Sequence, residues 1–229
     1  TDLASLVGTQ LDPKALQKYY GQLLKLAVAG YAEYLQLAAQ PGDEQHRRLC
    51  LRKFEQFRVL AAVRRGQWGI DGLNQSITVA LQQAGLIQPV SERPYTGQPL
   101  MIGANHPGLQ LYNGDIGLVL PCAEAEAGWL AYFFLPDGCL QGFLPSQLPA
   151  YETCYAMTVH KSQGSEYQRG ILVLPPRYQS LVSRELLYTG MTRFRDQLTL
   201  CATIEVLQQA IDSPTVRYSG LLTMLDDRR

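Results

Sequence analysis

The chain has 229 residues, 46% of them hydrophobic and 17% charged, a balance that suits a folded globular protein and excludes a disordered one. Twenty basic and twenty acidic side chains cancel to a formal net charge of zero with pI near 6.8, so no overall basic field draws nucleic acid and any backbone contact must come from a local patch. Five cysteines, odd in number and without Cys-x-x-Cys spacing, exclude a disulfide framework and a zinc site and read as core thiols, while the lack of a signal-peptide pattern or a run of about 18 apolar residues predicts a cytoplasmic protein with no membrane partner.

Asp12-Pro13 is a helix start, an acidic N-cap followed by proline at the first helical position. Leu16, Tyr20, Leu23, Ala27, Tyr31 and Tyr34 then recur at helical spacing until Pro41-Gly42. Asp43 is placed to cap a second helix whose Arg47, Arg48, Arg52 and Lys53 are expected on a solvated face. The apolar run Phe57 to Val63 suits a buried strand, Arg64-Arg65-Gly66-Gln67-Trp68-Gly69 turns out of it, and Leu73, Ile77, Leu81 and Ala84 mark a helix that stops at Gly85. Strand, loop and helix in succession form the repeating unit of α/β folds.

After a shift of composition at Pro94 to Gly97, the pattern becomes β. Short apolar strands at 100–102, 117–120, 129–134 and 140–144 are separated by the turn signals Asn113-Gly-Asp115, Pro121 and Asp137-Gly138, which predicts a small barrel. Helical and parallel-strand signals return with Ala156 to Val159, Gly170 to Leu174, a helix from Ser183 to Met191 with Leu186, Leu187 and Met191 toward the core, and a strand at Leu198 to Ala202. The expected organisation is one α/β domain, residues 1–96 and 151–229, interrupted by a β insertion at 97–150. The closing 226–229 reads as a frayed tail, and the start at Thr1 without methionine is expected of a piece of a longer protein.

The chemistry concentrates in Thr158-Val-His-Lys-Ser-Gln-Gly-Ser-Glu166. A polar turn between two strands of an open α/β sheet lies where ligands gather. Thr158, His160 and Ser162 can donate to a phosphodiester or stack beneath a base, as sequence-independent binding of a single strand requires. Gly164 lets the backbone approach closely, and Glu166 can accept from a ribose hydroxyl or hold a water near a terminal phosphate. A lone histidine in a polar loop is usually just hydrogen bonded; seven matching positions in one strand-turn-strand setting favour the functional reading.

The helix capped by Ser183 delivers Thr192-Arg193-Phe194-Arg195. Phosphoryl transfer gathers negative charge on the γ-phosphate oxygens, and a guanidinium from a second domain neutralises it bidentately, so Arg193 is the candidate finger. Lysine lacks the planar fork and would be a poor replacement. Arg195 reads as a surface arginine. No Gly-x-x-x-x-Gly-Lys-Ser/Thr phosphate loop occurs in the chain.

These two motifs, with Phe57-Arg-Val-Leu-Ala-Ala-Val-Arg-Arg-Gly-Gln-Trp-Gly69, Leu73-Asn74, Met101-Ile102, Leu111-Tyr-Asn-Gly-Asp-Ile-Gly117 and Leu144-Pro145, make the chain resemble the C-terminal half of the exodeoxyribonuclease V alpha-subunit (RecD) family, in the 5′-to-3′ branch of superfamily 1 helicases. The resemblance spans about residues 55 to 203. It implies a second RecA-like motor domain, a parallel sheet with flanking helices, interrupted by an SH3-like barrel, and work in DNA unwinding for recombinational repair. It implies ATP with Mg²⁺ as substrate, the phosphate loop and metal-binding carboxylate lying on a first motor domain absent from this chain, and hence no ATPase in the chain alone. The implied partners are single-stranded DNA, that first domain and other exodeoxyribonuclease V subunits. The resemblance places Arg64 or Arg65 at the nucleotide and Asn105 near DNA. It also departs from many relatives at Gly190 and Phe194, where no functional side chain is lost. Two other readings stand beside it: an assembly or strand-binding module of a helicase-nuclease complex, and a part of a stand-alone helicase of the same branch.

Overall fold

The computed structural model describes residues 12–89 and 94–214; the expected tail at 226–229 lies outside them. Two sheets organise the chain. The first is parallel, in the order β7 (Ala156–Thr158), β1 (Phe57–Ala61), β8 (Tyr167–Val173), β9 (Phe194–Cys201). Of its two inner strands, β1 is buried along its whole length, with Arg58 its one charged side chain, and β8 is buried from Gly170 to Val173, as strands covered by helices on either side must be.

One face carries α1 (Pro13–Ala38), α2 (Glu44–Glu55) and α3 (Ile70–Gln83). Asp12 caps α1 by accepting from Lys14 N, Asp43 caps α2 by accepting from His46 N, and of the predicted stripe, Tyr20, Leu23, Ala27, Tyr31 and Tyr34 are buried and Leu16 is half-buried. Val59, Ala61, Ala156, Ile171 and Val173 meet these helices, while Leu60, Met157, Leu172, Leu198 and Leu200 point the other way, onto α4 (Arg184–Met191) and α5 (Ile204–Asp212). This is an α/β architecture with a parallel sheet and flanking helices.

The second sheet is antiparallel, in the order β5 (Leu140–Phe143), β4 (Trp129–Phe134), β3 (Ile116–Pro121), β2 (Pro99–Ile102), β6 (Tyr151–Thr153). Leu100, Ile102, Leu111, Val119, Ala131, Phe133 and Phe143 form its own core. Five strands stand where four or five were expected, with β5 and β6 at the two edges of the order, and the sheet runs to Thr153. Arg47 lies over the Tyr132 ring at 4.9 Å, and Arg48 lies over Phe134 at 5.5 Å while donating to Gly138 O at 3.1 Å. Arg47 and Arg48, expected on a solvated face of α2, therefore fasten the insertion to the parallel sheet's helical layer, while Arg52 is exposed as expected. Periodicity could not reveal this, because the aromatic partners lie 85 and 86 residues away in sequence.

Two helix-sheet details also differ from expectation. Met191 is exposed and Gly190 takes the core position of α4, where a Cβ would stand 2.9 Å from Leu172 Cδ1, so the helix packs closely on the Leu172 side chain of β8. The last strand begins at Phe194, not near Leu198, so Arg193 occupies a helix-to-strand junction and Arg195 lies within a strand. Four cysteines are core thiols as predicted; Cys139 is exposed.

Candidate functional site

β7 ends at Thr158, level with Ala61 of β1, which is level with Val173 of β8; Tyr167, the first residue of β8, lies at the opposite, amino end of the strands. The segment 159–166 thus does not stay at one edge. It leaves the carboxyl end of the sheet at Thr158 and runs back to the amino end at Glu166, so the two halves of the motif serve two edges. Val159 N donates to Ala61 O at 3.1 Å, a turn of 3-10 helix spans His160–Ser162, and Ser165 N donates to Ser162 O at 3.0 Å. Gly164 has φ +87°, a left-handed conformation that a residue with a Cβ adopts only at a cost, and the space around it is open.

Thr158 is half-buried and His160 exposed, at the carboxyl edge. Ser162, expected to face a nucleic-acid strand, is instead fully buried, and its hydroxyl donates to Val159 O at 2.7 Å. That hydroxyl closes the 3-10 turn and presents nothing to a ligand.

α4, capped by Ser183, which accepts from Leu186 N, runs back to the amino edge and ends just before Arg193. The half-buried guanidinium donates from Nε to Thr189 O and from Nη1 to Ser165 O, both at 3.2 Å. Tyr167 N donates to Arg193 O at 2.8 Å. The candidate finger is therefore joined to the motif segment by side chain and backbone alike. Between segment and helix lies a cleft of about 410 Å³ with Val159, His160 and Gln163 on one wall and Leu186 and Thr189 on the other. His160 lines that cleft and Arg193 does not; the guanidinium meets the motif segment outside it, at Ser165 O.

Glu166 is exposed and ion-paired with Arg195, whose Nε donates to Glu166 Oε2 at 2.7 Å and whose Nη2 donates to the same oxygen. The Arg195 hydrogen bonds and charge hold the Glu166 carboxyl below the usual carboxylate range. Arg195 was read as a bland surface arginine; the parallel pairing of β8 with β9 brings it to Glu166, and no local sequence signal carries that register.

The remaining candidates gather elsewhere. Arg64 follows the carboxyl end of β1 and pairs with Glu152 of β6 at 2.7 Å; Glu152 in turn pairs with Lys161 at 3.2 Å. Arg64 is thus grouped with the Thr158 end of the motif and not with Glu166 and Arg193. Arg65 is exposed in the same turn. Asn105 is exposed in the insertion, where its Oδ1 accepts from Asn113 N at 2.8 Å and so closes a loop. Among the described residues no group of three or more His, Cys, Asp or Glu side chains could hold a metal ion, and no helix is long and apolar enough to cross a membrane.

Residues 153–201, which hold both motifs, match the UvrD-like helicase C-terminal domain. The chain therefore carries a helicase-type C-terminal domain. More narrowly, it is a RecD homologue along most of its length. It is 36% identical over 176 residues to the RecBCD enzyme subunit RecD of Haemophilus influenzae, covering 76% of this chain and 26% of that one. With the same subunit of Mycolicibacterium smegmatis it shares 33% over 199 residues, 86% of this chain and 34% of that one. The ATP-dependent RecD2 DNA helicase of Deinococcus radiodurans is 31% identical over 140 residues, 61% of this chain and 19% of that one. The chain thus spans about a quarter to a third of the length of these RecD subunits. A solved Pif1 helicase from Bacteroides covers 96% of this chain and 54% of that one at 14% identity and a TM-score of 0.41, too distant a likeness to say anything about ligands.

Proposed function

We propose that the chain is the second, C-terminal motor domain of an ATP-dependent 5′-to-3′ DNA helicase of the exodeoxyribonuclease V alpha-subunit type. In this reading Thr158 and His160 hold single-stranded DNA at the carboxyl edge of the parallel sheet. Arg193 and Glu166, with Gly164 leaving room for close approach, face ATP at the amino edge. The five-stranded insertion corresponds to the SH3-like barrel of that family. The observation that carries the reading is the bond from Arg193 Nη1 to Ser165 O, which fastens the nucleotide-facing guanidinium to the same short segment that begins at Thr158. A shift at either end is transmitted along a segment of eight residues, 159–166.

The donor set suits a phosphate. Two Arg193 donors rest on neutral backbone carbonyls, which a charged phosphate oxygen displaces because charge-assisted bonds are roughly twice as strong. Arg193 then turns from latch to finger, and the freed Ser165 carbonyl loosens the segment from α4. The Glu166 carboxylate, kept ionised by Arg195, accepts from a ribose hydroxyl or orients water. Mg²⁺–ATP supplies the transferable phosphoryl group, and its metal ligands would come from the preceding motor domain, since the described residues hold no suitable cluster. Arg64 and Arg65 stand at the strand-facing edge and serve the nucleotide only if that preceding domain reaches across to them.

In the full-length protein Arg193→Ala is expected to lower ATP turnover by about 10³-fold while strand affinity stays within about twofold. Turnover within a few fold of wild type would rule out the finger. A second reading, an assembly module that docks other helicase-nuclease subunits, is favoured by one feature, a shallow hollow on the insertion with Cys122, Ala125, Ala127, Leu130 and Leu144 in its lining beside Glu124 and Glu126. Co-purification of partners that is lost on Leu144→Glu, with ATPase intact, would support it. The longer matches to RecD subunits than to RecD2 favour a subunit over a stand-alone helicase.

A further inference from the structure

Asn74 lies on α3, immediately after the fully buried Leu73, and its carboxamide makes two bonds to a single residue 82 positions away. Nδ2 donates to Ala156 O at 3.0 Å, and Oδ1 accepts from Ala156 N at 2.8 Å. The reverse amide orientation would set like groups face to face, so the pair of contacts defines the amide uniquely.

Ala156 opens β7, and β7 is an edge strand of the parallel sheet, paired with β1 on one side. In an extended strand the N–H and C=O of one residue leave on the same side, and successive residues alternate. Val159 N donates to Ala61 O of β1, so Met157 and Val159 turn toward β1, while Ala156 and Thr158 turn toward the free edge. The Asn74 amide therefore does at Ala156 what a neighbouring strand would do, giving one donor and one acceptor at the spacing of a backbone. Two residues further on, Thr158 leaves on that same side. Tyr31 adds a second clamp just upstream, its hydroxyl donating to Tyr155 O.

We infer that Asn74 is a positioning residue for nucleic-acid binding: from α3 it fixes the direction and register of the edge strand that presents Thr158 and His160. It touches no ligand and acts through the backbone of β7. The inference rests on the proposed function, in which those two side chains hold the strand. It also gives a physical role to the Leu73-Asn74 pair, which the motifs left without one.

The test uses the full-length protein, a homopolymeric single-stranded DNA as probe, and strand-stimulated ATPase with its half-saturating strand concentration as readout. N74A and N74S are expected to raise that concentration by about tenfold, the effect of about two lost backbone bonds, with nucleotide affinity in the absence of DNA unchanged. N74D carries the discriminating signature. Its carboxylate still accepts from Ala156 N but lacks the proton that Ala156 O requires; burial and the facing carbonyl raise its pKa above the ordinary value of about 3.9, so acidification restores the donor. The ratio of N74D to wild-type half-saturation is expected to fall toward one between about pH 8 and about pH 5.5.

A N74D ratio of one at every pH overturns the inference, as does a defect that is constant with pH and accompanied by an equal loss of nucleotide affinity, which marks a merely structural residue. Unchanged half-saturation in N74S, the variant least disruptive to folding, overturns it independently. The underlying reading is checked apart from it: Thr158→Ala and His160→Ala together leaving half-saturation unchanged would overturn the proposed function, whatever Asn74 does.

Discussion

Burial pushes the Glu152 carboxyl up, but the Arg64 and Lys161 donors on its two oxygens outweigh burial and hold it below the usual carboxylate range. A depressed carboxylate contributes stability that is fully present above its unfolded value of about 4.3 and is lost as pH falls through the folded value. Glu152→Gln is therefore expected to destabilise the chain at pH 7, by less than about 1 kcal/mol because all three side chains are partly exposed, and to converge on wild type in acid, once the pH has fallen through the folded value. Urea denaturation across a pH series measures this, and a difference that persisted into acid would assign the effect to packing. At this scale the sequence was an uneven guide. The place of Arg193 at the end of a helix was legible because the Ser183 cap and the helical spacing after it are local patterns. Ser162 was misjudged because the same hydroxyl that can reach a phosphate can also reach a carbonyl three residues back, and only the coordinates show which it does. Arg58 gave no polar signal at all inside its apolar run; it is fully buried, stacked on Phe54 at 4.0 Å with Nη1 donating to Cys154 O at 3.2 Å.

Elements meet more closely than side-chain patterns suggest. At Gly170 a Cβ would stand 2.1 Å from Arg58 O and 2.2 Å from the Phe194 ring, and the first of these is backbone of the central strand and has no room to yield. Gly170→Ala is expected to destabilise the chain by about 3 kcal/mol, at the upper end of overpacking effects, and to separate β1 from β8 before it disturbs the insertion. Hydrogen exchange resolves the two sheets: faster exchange in β8 with β3 and β4 unchanged is the expected result, and equal loosening of both sheets would contradict it. Most elements were readable from sequence because each rests on local rules. Asp12, Asp43 and Ser183 cap the helices they were expected to cap, and apolar spacing picked out the buried stripe of α1. The start of β9 was not readable: Phe194-Arg-Asp-Gln has little strand character by itself and becomes strand through its parallel partner β8, with a register shift between Tyr167 and Arg169.

For the whole chain the expected behaviour is that of half a motor. Purified alone it should show no ATP turnover above background, having no phosphate loop, and should bind single-stranded DNA weakly and with steep salt dependence for its small contact area. Fluorescence anisotropy over a salt titration tests the second point, and salt-independent binding would point to apolar contacts, not phosphate contacts. What the amino-acid sequence settled unaided was the class of fold, the two motifs, the interruption by a β segment and the kinship with RecD, because capping, periodicity and contiguous motifs are carried within a few residues of one another. What only the tertiary structure decided was which groups meet: Asn74 with Ala156, Arg195 with Glu166, Arg64 with Glu152, Arg47 with Tyr132. Each of those pairs spans 29 to 88 residues of chain, and such contacts follow from strand order and register, which the packing of the whole core selects.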